Sequence, residues 1–334
     1  MKILYFQTLL MSYIKYDVKK LDLYEYYESP DDEYIYYINM NFHGPSSFFF
    51  DKNKKIIFGS RYYFNWNYET FINGINTILE SITENDLDNA TLIDDSVISI
   101  CKWFVTYGHY MDEVFCLCDF QKRLSDSTNN NEYKVLLDYH TDNNIIKHYP
   151  VYKNYETIQN VLFGDNGFNA YSHRLKILKI KKLFLIKHDI TDPMFHSFPI
   201  FPRNKILSTI QPLYQTYENV YISRGKAVHI NRNLDNEDEI ENYLVSNGYV
   251  AINPEIMDFN EFIHYIHNAS NIVMTWGGAM TNMCYFKENA NVIVLKSQSY
   301  EHENLMLFEK LIKTYNLNVR DITHQQNSIV IPFL

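Results

Sequence analysis

Cysteine is scarce in this chain, with four in 334 residues, which excludes a disulfide-stapled scaffold. Cys116 and Cys118 stand two apart, but no second pair follows at the spacing a structural zinc site needs. The expectation is free thiols in a reducing compartment. Glycine and proline are also few, 10 and 9, which excludes a collagen-like or linker-rich chain. No apolar run approaches the roughly 20 residues of a membrane-spanning helix. The opening MKILYFQTLLMSYIKYD is broken by Gln7 and Ser12 and lacks a small-residue cleavage site, so it reads as a first strand rather than a leader. These absences set the expectation of a cytoplasmic protein without a transmembrane segment. An excess of positive charge is missing too: 30 Lys and Arg face 40 Asp and Glu, a net charge of −10. A general nucleic-acid coat needs a basic face, so that class is excluded. A local basic pocket for a phosphorylated small molecule is not.

What is present is a globular composition, with 46% hydrophobic and 21% charged residues. The length allows a sizeable core and points to about two domains of roughly 100–200 residues each. Tyrosine and phenylalanine are abundant, 29 and 22, as are Asn, Ile and Lys. All five have AT-rich codons, so the excess reads mainly as genome bias, that of a microbe, a protist or a large DNA virus. In the last case the cytoplasm is the host's. An aromatic surface that stacks on sugars or bases is the functional alternative, while half-buried strands also favour Tyr.

Residues 1–70 read as short strands and turns, with YIYYINM (34–40) and KKIIFGS (54–60) as strands. Residues 67–82 have helical spacing, and NDLDNATLIDDS reads as polar punctuation. Residues 96–124 begin as a strand and become a helix near Tyr107. KVLLDYH (134–140) and 176–190 are strand-like, and 154–166 is a helix with a Gly stop. The stretch 191–204 concentrates Pro and aromatics and reads as a linker. Beyond it a helix (KILSTIQPLYQTY) is followed by strand NVYISRG (219–225), helix 236–249, strand VAINPE and helix 258–270 with Asp258 as N-cap. Strand NIVMTWGG, a helix begun by AMTNMCYF and strand NVIVLK complete the alternation. Strands alternating with helices imply doubly wound α/β halves, joined near residue 200, whose ligands lie beyond the carboxyl ends of the strands.

Three groups of residues lie where chemistry is expected. Ser223 and Arg224 follow a strand directly, with Arg232 a short loop further on. An Arg there can form a bidentate fork onto phosphate oxygens, or pair with the acidic helix 236–241. TWGGAMTNM (275–283) sets small residues between strand and helix, where backbone N–H groups can approach a diphosphate. The same residues also fit a plain tight turn. GHYMDE (108–113) places His109 and Glu113 on one helix face with Asp112 beside them. A carboxylate near an imidazole can serve as a general base, and a polar helix start is the alternative.

These groups, in this order, resemble glycosyltransferase family 61. Its N-terminal mark is similar to Asn-x-x-His-x-x-x-Asp/Glu or Gly-His-x-x-x-Glu, which Gly108, His109 and Glu113 match. Its second mark is a strand ending in Ser-Arg, a further Arg, and Asn-Glu opening a helix; Ser223, Arg224, Arg232, Asn236 and Glu237 fit in register. A Pro-Glu with Glu255 and an early helical Glu, Glu261, follow as in the family. The third mark, His-Gly-Ala-x-Leu-Thr-Asn-x-x-Phe, is met by Gly277, Ala279, Met280, Thr281, Asn282 and Phe286, with Gly278 within it. Trp276 stands where His is usual, a departure that bears on donor use.

The resemblance implies a GT-B-like α/β fold, two Rossmann-like domains with parallel sheets facing a central cleft. Residues 1–200 would form the acceptor-side domain and 201–334 the nucleotide-sugar domain. It implies an inverting, metal-independent glycosyltransferase that moves a sugar from a nucleotide sugar, usually UDP-linked, to a hydroxyl of a glycan or glycoprotein. No further cofactor is expected. Glu113, Asp112 and His109 are the candidate bases. Ser223, Arg224, Arg232, Glu255, Glu261 and the segment Trp276–Asn282 are the candidate donor-binding residues. A non-catalytic nucleotide- or glycan-binding module derived from such an enzyme is the rival reading, kept open by Trp276. A structural surface protein would bind neither donor nor acceptor.

Overall fold

Aromatic alternation organises the first strands. In the computed structural model, which describes residues 17–21, 24–28, 33–39, 47–59, 68–99, 107–137, 153–169, 177–186, 199–224, 234–296 and 305–323, β1 (Asp17–Leu21) pairs antiparallel with β2 (Tyr24–Glu28), and β3 (Ile35–Asn39) with β4 (Ser47–Phe50). Strand β4 pairs in turn with β5 (Ile56–Gly59). Tyr36 stacks on Phe50 across β3 and β4, centroids 5.6 Å apart, and Tyr37 meets Phe49 at 4.9 Å on the other face. Such cross-strand pairs are the unit of sheet stabilisation. Short loops join these strands, and short loops permit only antiparallel neighbours. The reading 1–16 as a first strand lies outside the described residues.

Helix α1 (Tyr68–Ser81) buries Ile75 and Leu79 against Tyr36, Phe48 and Phe50. The stretch read as polar punctuation is instead ordered. Helix α2 (Glu84–Asp88) opens with a capping box between Thr83 and Asp86, and β6 runs over Thr91–Ser99. Two consecutive aspartates hid this strand. They fall where the register with β9 (Leu178–Ile186) shifts, between Ile93 and Ser96, and such a bulge takes residues out of the ladder. Helix α3 (Tyr107–Thr128), β7 (Lys134–Leu137), α4 (Lys153–Phe163) and β8 (Gly167–Asn169) follow. The helix expected over 154–166 stops as read: Gly164 has φ 54°, a conformation that favours glycine.

The first sheet runs in the order β5-β4-β3-β9-β6-β7-β8, with β2 also on β9. Strands β9, β6, β7 and β8 are parallel, and the β1–β5 side is antiparallel. The expectation of a purely parallel first sheet is thus met on one side only. Along β9 the buried positions change phase, from Leu178 and Ile180 to Leu183 and Leu185. The change coincides with the exchange of its partner from β3 to β2.

The stretch read as a linker contains a helix. Helix α5 (Ile200–Leu207) starts after Pro199 and holds Pro202 in its first turn, where the missing N–H has no intrahelical acceptor to lose. Residues 191–198 lie outside the described residues. The helix expected over 205–217 ends early. Ser208 and Thr209 turn their hydroxyls back onto the carbonyls of Lys205 and Ile206, at 2.8 Å each, and Pro212 bars continuation.

The second sheet is wholly parallel and comprises β10 (Asn219–Ile222), β11 (Val250–Ile252), β12 (Asn271–Thr275), β13 (Asn291–Lys296) and β14 (Asn318–Thr323). Its order is β11-β10-β12-β13-β14. Helices α6 (Glu237–Ser246) and α7 (Phe259–Asn268) supply crossovers, and α8 (Glu309–Thr314) precedes β14. Helix α6 covers one face, with Ile240 and Leu244 packed on Tyr221, Val273 and Leu295. The alternate positions Val220, Ile222, Ile272 and Met274 are buried as well. Burial on both faces explains the near-continuous apolar strands. Asp258 caps α7 as expected, accepting from the N–H of Asn260 at 2.8 Å.

By their internal contacts the residues fall into two compact units that interleave along the chain. One holds Met1–Val105, Leu117–His140 and Phe163–Thr191; the other holds Thr106–Cys116, Thr141–Leu162 and Asp192–Leu334. Among the described residues no helix is long and apolar enough to cross a membrane.

Four strands of the second sheet begin with Asn, and their amides form a ladder across its amino edge. Asn271 donates to Asn219 (2.8 Å), Asn291 to Asn271 (2.9 Å) and Asn318 to Asn291 (3.4 Å). Asn271 both gives and receives. Asn271→Ala is expected to lower unfolding free energy by about 1–3 kcal/mol, read from urea transitions with an unchanged slope. Asn271→Asp should restore little, because a carboxylate cannot donate to Asn219.

Candidate functional site

In the second sheet β10 leads to β11 on one flank and β12 leads to β13 on the other, so the strand order reverses between β10 and β12. Carboxyl ends at such a reversal form a crevice that holds ligands in open α/β sheets. Register places the segments there side by side. Ile222 pairs with Ile252 and with Met274, so Ser223–Arg224 emerges between Asn253–Glu255 and Trp276–Gly278. The N–H of Ser223 extends the ladder to the Ile252 carbonyl (2.9 Å), and that of Trp276 to Leu295 (2.8 Å).

Gly277 turns the chain. Its φ of 141° and ψ of −162° lie in a region open essentially to glycine alone. Its carbonyl accepts from Met280 N–H at 2.9 Å, which starts a 3₁₀ helix over Gly278–Tyr285. The helix begun by AMTNMCYF is therefore a tight three-residue-per-turn one. Its start, Gly277–Ala279, is half-buried, whereas Met280–Phe286 are buried. The Thr281 hydroxyl is turned onto the Gly278 carbonyl at 2.8 Å. The backbone N–H groups of the helix start lack intrahelical acceptors, and the side chains of Met280, Thr281 and Asn282 are buried behind them.

Trp276 does not present its ring at this edge. It is 4% exposed, edge-on to Phe308 at 5.6 Å. The Lys296 ammonium lies 5.0 Å from its centroid, and that ammonium also pairs with Asp321 at 3.1 Å. Thr275, just before it, was not singled out from the sequence. It is 2% exposed, and its hydroxyl has no hydrogen-bond partner among the described residues. A buried unsatisfied hydroxyl costs about 1–3 kcal/mol, and Thr275 stands beside Ser223 at the strand-order reversal.

Arg224 is half-buried and tied to Glu237 at the start of α6: its backbone N–H donates to Glu237 Oε1 at 3.0 Å. The Tyr221 hydroxyl donates to the same oxygen at 3.4 Å. Burial raises the pKa of Glu237, and Glu241 adds to that; the Arg224 N–H, the Arg224 charge and Tyr221 pull it down without cancelling the rise. Burial and the Glu237 charge likewise push the Tyr221 phenol far up. Arg232 lies outside the described residues. Glu255 closes a turn, its N–H donating to Asn253 Oδ1 at 2.8 Å. Glu261 is engaged one turn along α7, where burial, Tyr217 and Glu261 together raise the pKa of the Tyr265 phenol.

Glu113 lies on α3 and is 6% exposed. The side chains of His109 and Asp112 lie outside the described residues. Around Glu113 the helix is fixed by aromatics: Tyr110 stacks on Tyr155 at 3.9 Å and donates to its carbonyl at 3.0 Å. Two residues beyond Glu113, Phe115 meets Tyr285 edge to face at 6.1 Å. Tyr285 ends the 3₁₀ helix that Gly277 opens. The first and third motifs thus belong to the same compact unit, and the helices that carry them meet at the Phe115–Tyr285 ring pair. Sequence spacing gave no signal for that contact.

A parallel α/β sheet carries a glycine turn, an arginine and a buried hydroxyl at its strand-order reversal, the place where open α/β proteins as a class hold ligands. The family model described as Glycosyltransferase 61 matches residues 107–293, more than half of the chain, and the chain belongs to that glycosyltransferase family. Membership implies a donor and an acceptor substrate. No curated protein matches the chain.

Glu237 supplies a test of the local electrostatics. A carboxylate with a raised native pKa leaves the native state holding more protons than the unfolded one, so its contribution to stability grows as pH falls. The stability of the wild type minus that of Glu237→Gln should therefore rise between pH 7 and pH 4, measured by urea unfolding at each pH. A difference that falls over this range would show that Glu237 is held in its charged form.

Proposed function

We propose that this glycosyltransferase transfers a sugar from a UDP-linked donor to a hydroxyl of a glycan or glycoprotein, with inversion and without an essential metal. One observation carries the reading: Ser223–Arg224 and the Gly277 turn leave neighbouring parallel strands at the point where strand order reverses. There the arginine and the backbone N–H groups of the helix start offer charge and donors to a leaving diphosphate. Arg232, from the same motif, adds a second guanidinium. The GT-B arrangement, two Rossmann-like domains facing a cleft, belongs to this proposal, and the 2-1-3-4-5 order of the second sheet supports the nucleotide half of it.

In the proposed step Glu113 takes the proton from the acceptor hydroxyl. The oxygen attacks the anomeric carbon from the face opposite the diphosphate. The bond to the diphosphate breaks, and UDP leaves with its electron pair, neutralised by Arg224 and Arg232. His109 orients the carboxylate, and Asp112 and His109 itself are the alternative bases. With the indole of Trp276 packed inside, the side chain at that position serves the turn rather than the donor.

The test is release of UDP from a panel of UDP-sugars in buffer containing EDTA. Release supports the enzyme; saturable UDP binding with no release across the panel supports the binding module. Arg224→Ala should weaken UDP binding by about 1.5–3 kcal/mol, the range for hydrogen bonds to charged groups; equal affinity in calorimetry would remove Arg224 from the site. Glu113→Gln keeps size but cannot accept a proton. It should lower kcat by about 10²–10⁴-fold with UDP affinity little changed. Normal turnover in that variant together with loss in Asp112→Asn would move the base to Asp112.

A further inference from the structure

Three carbonyls end the 3₁₀ helix without intrahelical donors, because its last such bond is Phe286 N–H to Met283 O. All three are taken by two side chains from other helices. Arg203 of α5 donates from Nε to the Cys284 carbonyl at 2.7 Å and from Nη2 to the Phe286 carbonyl at 3.1 Å. His267, in the last turn of α7, places Nδ1 at 2.8 Å from the Tyr285 carbonyl. A carbonyl only accepts, so Nδ1 carries the hydrogen. The Arg203 guanidinium is itself seated over the Tyr315 ring, 5.0 Å from its centroid. The Arg203 charge also complements the partial negative charge at a helix end.

We propose that Arg203 and His267 are positioning residues: they hold the rear of the 3₁₀ helix so that the backbone N–H groups at its glycine end stay aimed at the donor diphosphate. The inference rests on the nucleotide-binding reading above. A 3₁₀ helix of eight residues is long for its type and its hydrogen bonds are poorly aligned, and Gly277, at its front, has no Cβ to restrict its backbone. A flexible front needs a fixed rear if its N–H groups are to meet an anion without reordering, and preorganisation of that kind is what gives such donors their strength. Neither residue touches the reacting atoms in this scheme. Arg203 comes from the Pro-rich stretch that the sequence offers as a linker, which is why its role is invisible there.

The test uses the full chain and UDP itself. Calorimetric affinity for UDP and amide hydrogen exchange of peptides spanning 277–286 are measured for wild type, Arg203→Ala, His267→Asn and His267→Phe. Asparagine can reproduce an N–H donor near the Nδ1 position, and phenylalanine cannot. Expected results are UDP affinity lowered about tenfold or more by Arg203→Ala and His267→Phe, with faster exchange at 278–282. Partial recovery is expected in His267→Asn, and in Arg203→Ala on adding methylguanidinium. A structural role alone would move stability without guanidinium-restored affinity. If Arg203→Ala does not fold, the Asn and Phe pair at His267 decides. Variants that bind UDP as tightly as a binding-competent wild type overturn the clamp and leave the nucleotide reading standing. A wild type that takes up no UDP overturns both.

Discussion

The backbone conformation of Gly277 is the constraint on which the carboxyl edge depends. A residue with a Cβ at φ 141° and ψ −162° would clash with its own backbone, so only glycine lets β12 end, turn and enter a 3₁₀ helix at once. Everything around it fixes that turn from outside. Trp276 ties the preceding N–H to Leu295. The Met280–Gly277 bond sets the first helical turn. Arg203 and His267 hold the last carbonyls. A permissive residue is held in one conformation by its neighbours.

The two ends of the second sheet are used differently. At the amino edge the side chains of Asn219, Asn271, Asn291 and Asn318 satisfy one another in register. Such a ladder favours one alignment of four parallel strands and asks for nothing from outside. At the carboxyl edge the polar groups are buried but less self-contained: Thr275 offers a hydroxyl with no partner among the described residues, and Glu237 keeps a carboxylate in surroundings that disfavour its charge. Polar satisfaction is given up at the edge of the proposed donor site and secured at the other. Places where a fold breaks its own rules of polar satisfaction are expected at functional sites.

Much of this second sheet was legible in sequence because the signals are local. Apolar runs such as NIVMT, the Asp258 cap and the glycine stops each announce an element by its own residues. The motifs after β10 and β12 were legible for the same reason. What was not legible depended on partners far away in sequence. Asp94 and Asp95 disguise a strand whose bulge is set by β9. Pro199 and Pro202 suggest a linker until the first turn of α5 shows that they cost it no hydrogen bond. The half-antiparallel first sheet follows from β9 accepting β2 and β3 along one edge, which no single strand's pattern reveals. At the site, Arg203, His267 and Thr275 carry no motif; carbonyl partners or their absence give them meaning.

The helix bearing Glu113 shows how far sequence distance misleads. Residues 106–116 lie in the N-terminal half of the chain, yet they group with residues 192–334. The physical reason is aromatic: Tyr110 closes on Tyr155 and Phe115 on Tyr285, and Phe259 of α7 meets the same Tyr285 ring at 6.3 Å. Tyr285 therefore joins three segments that sequence separates: the helix of the candidate base, the helix of Glu261 and the end of the glycine turn. Rings of this size dominate local packing energies. A change in the seating of Tyr285 would reach the Glu113 helix and the Gly277 turn together, so the proposed proton acceptor and the proposed diphosphate cradle are mechanically one element. Within this unit Tyr110, Tyr155, Phe115 and Tyr285 are fully buried, so the rings that join these segments are held on every side.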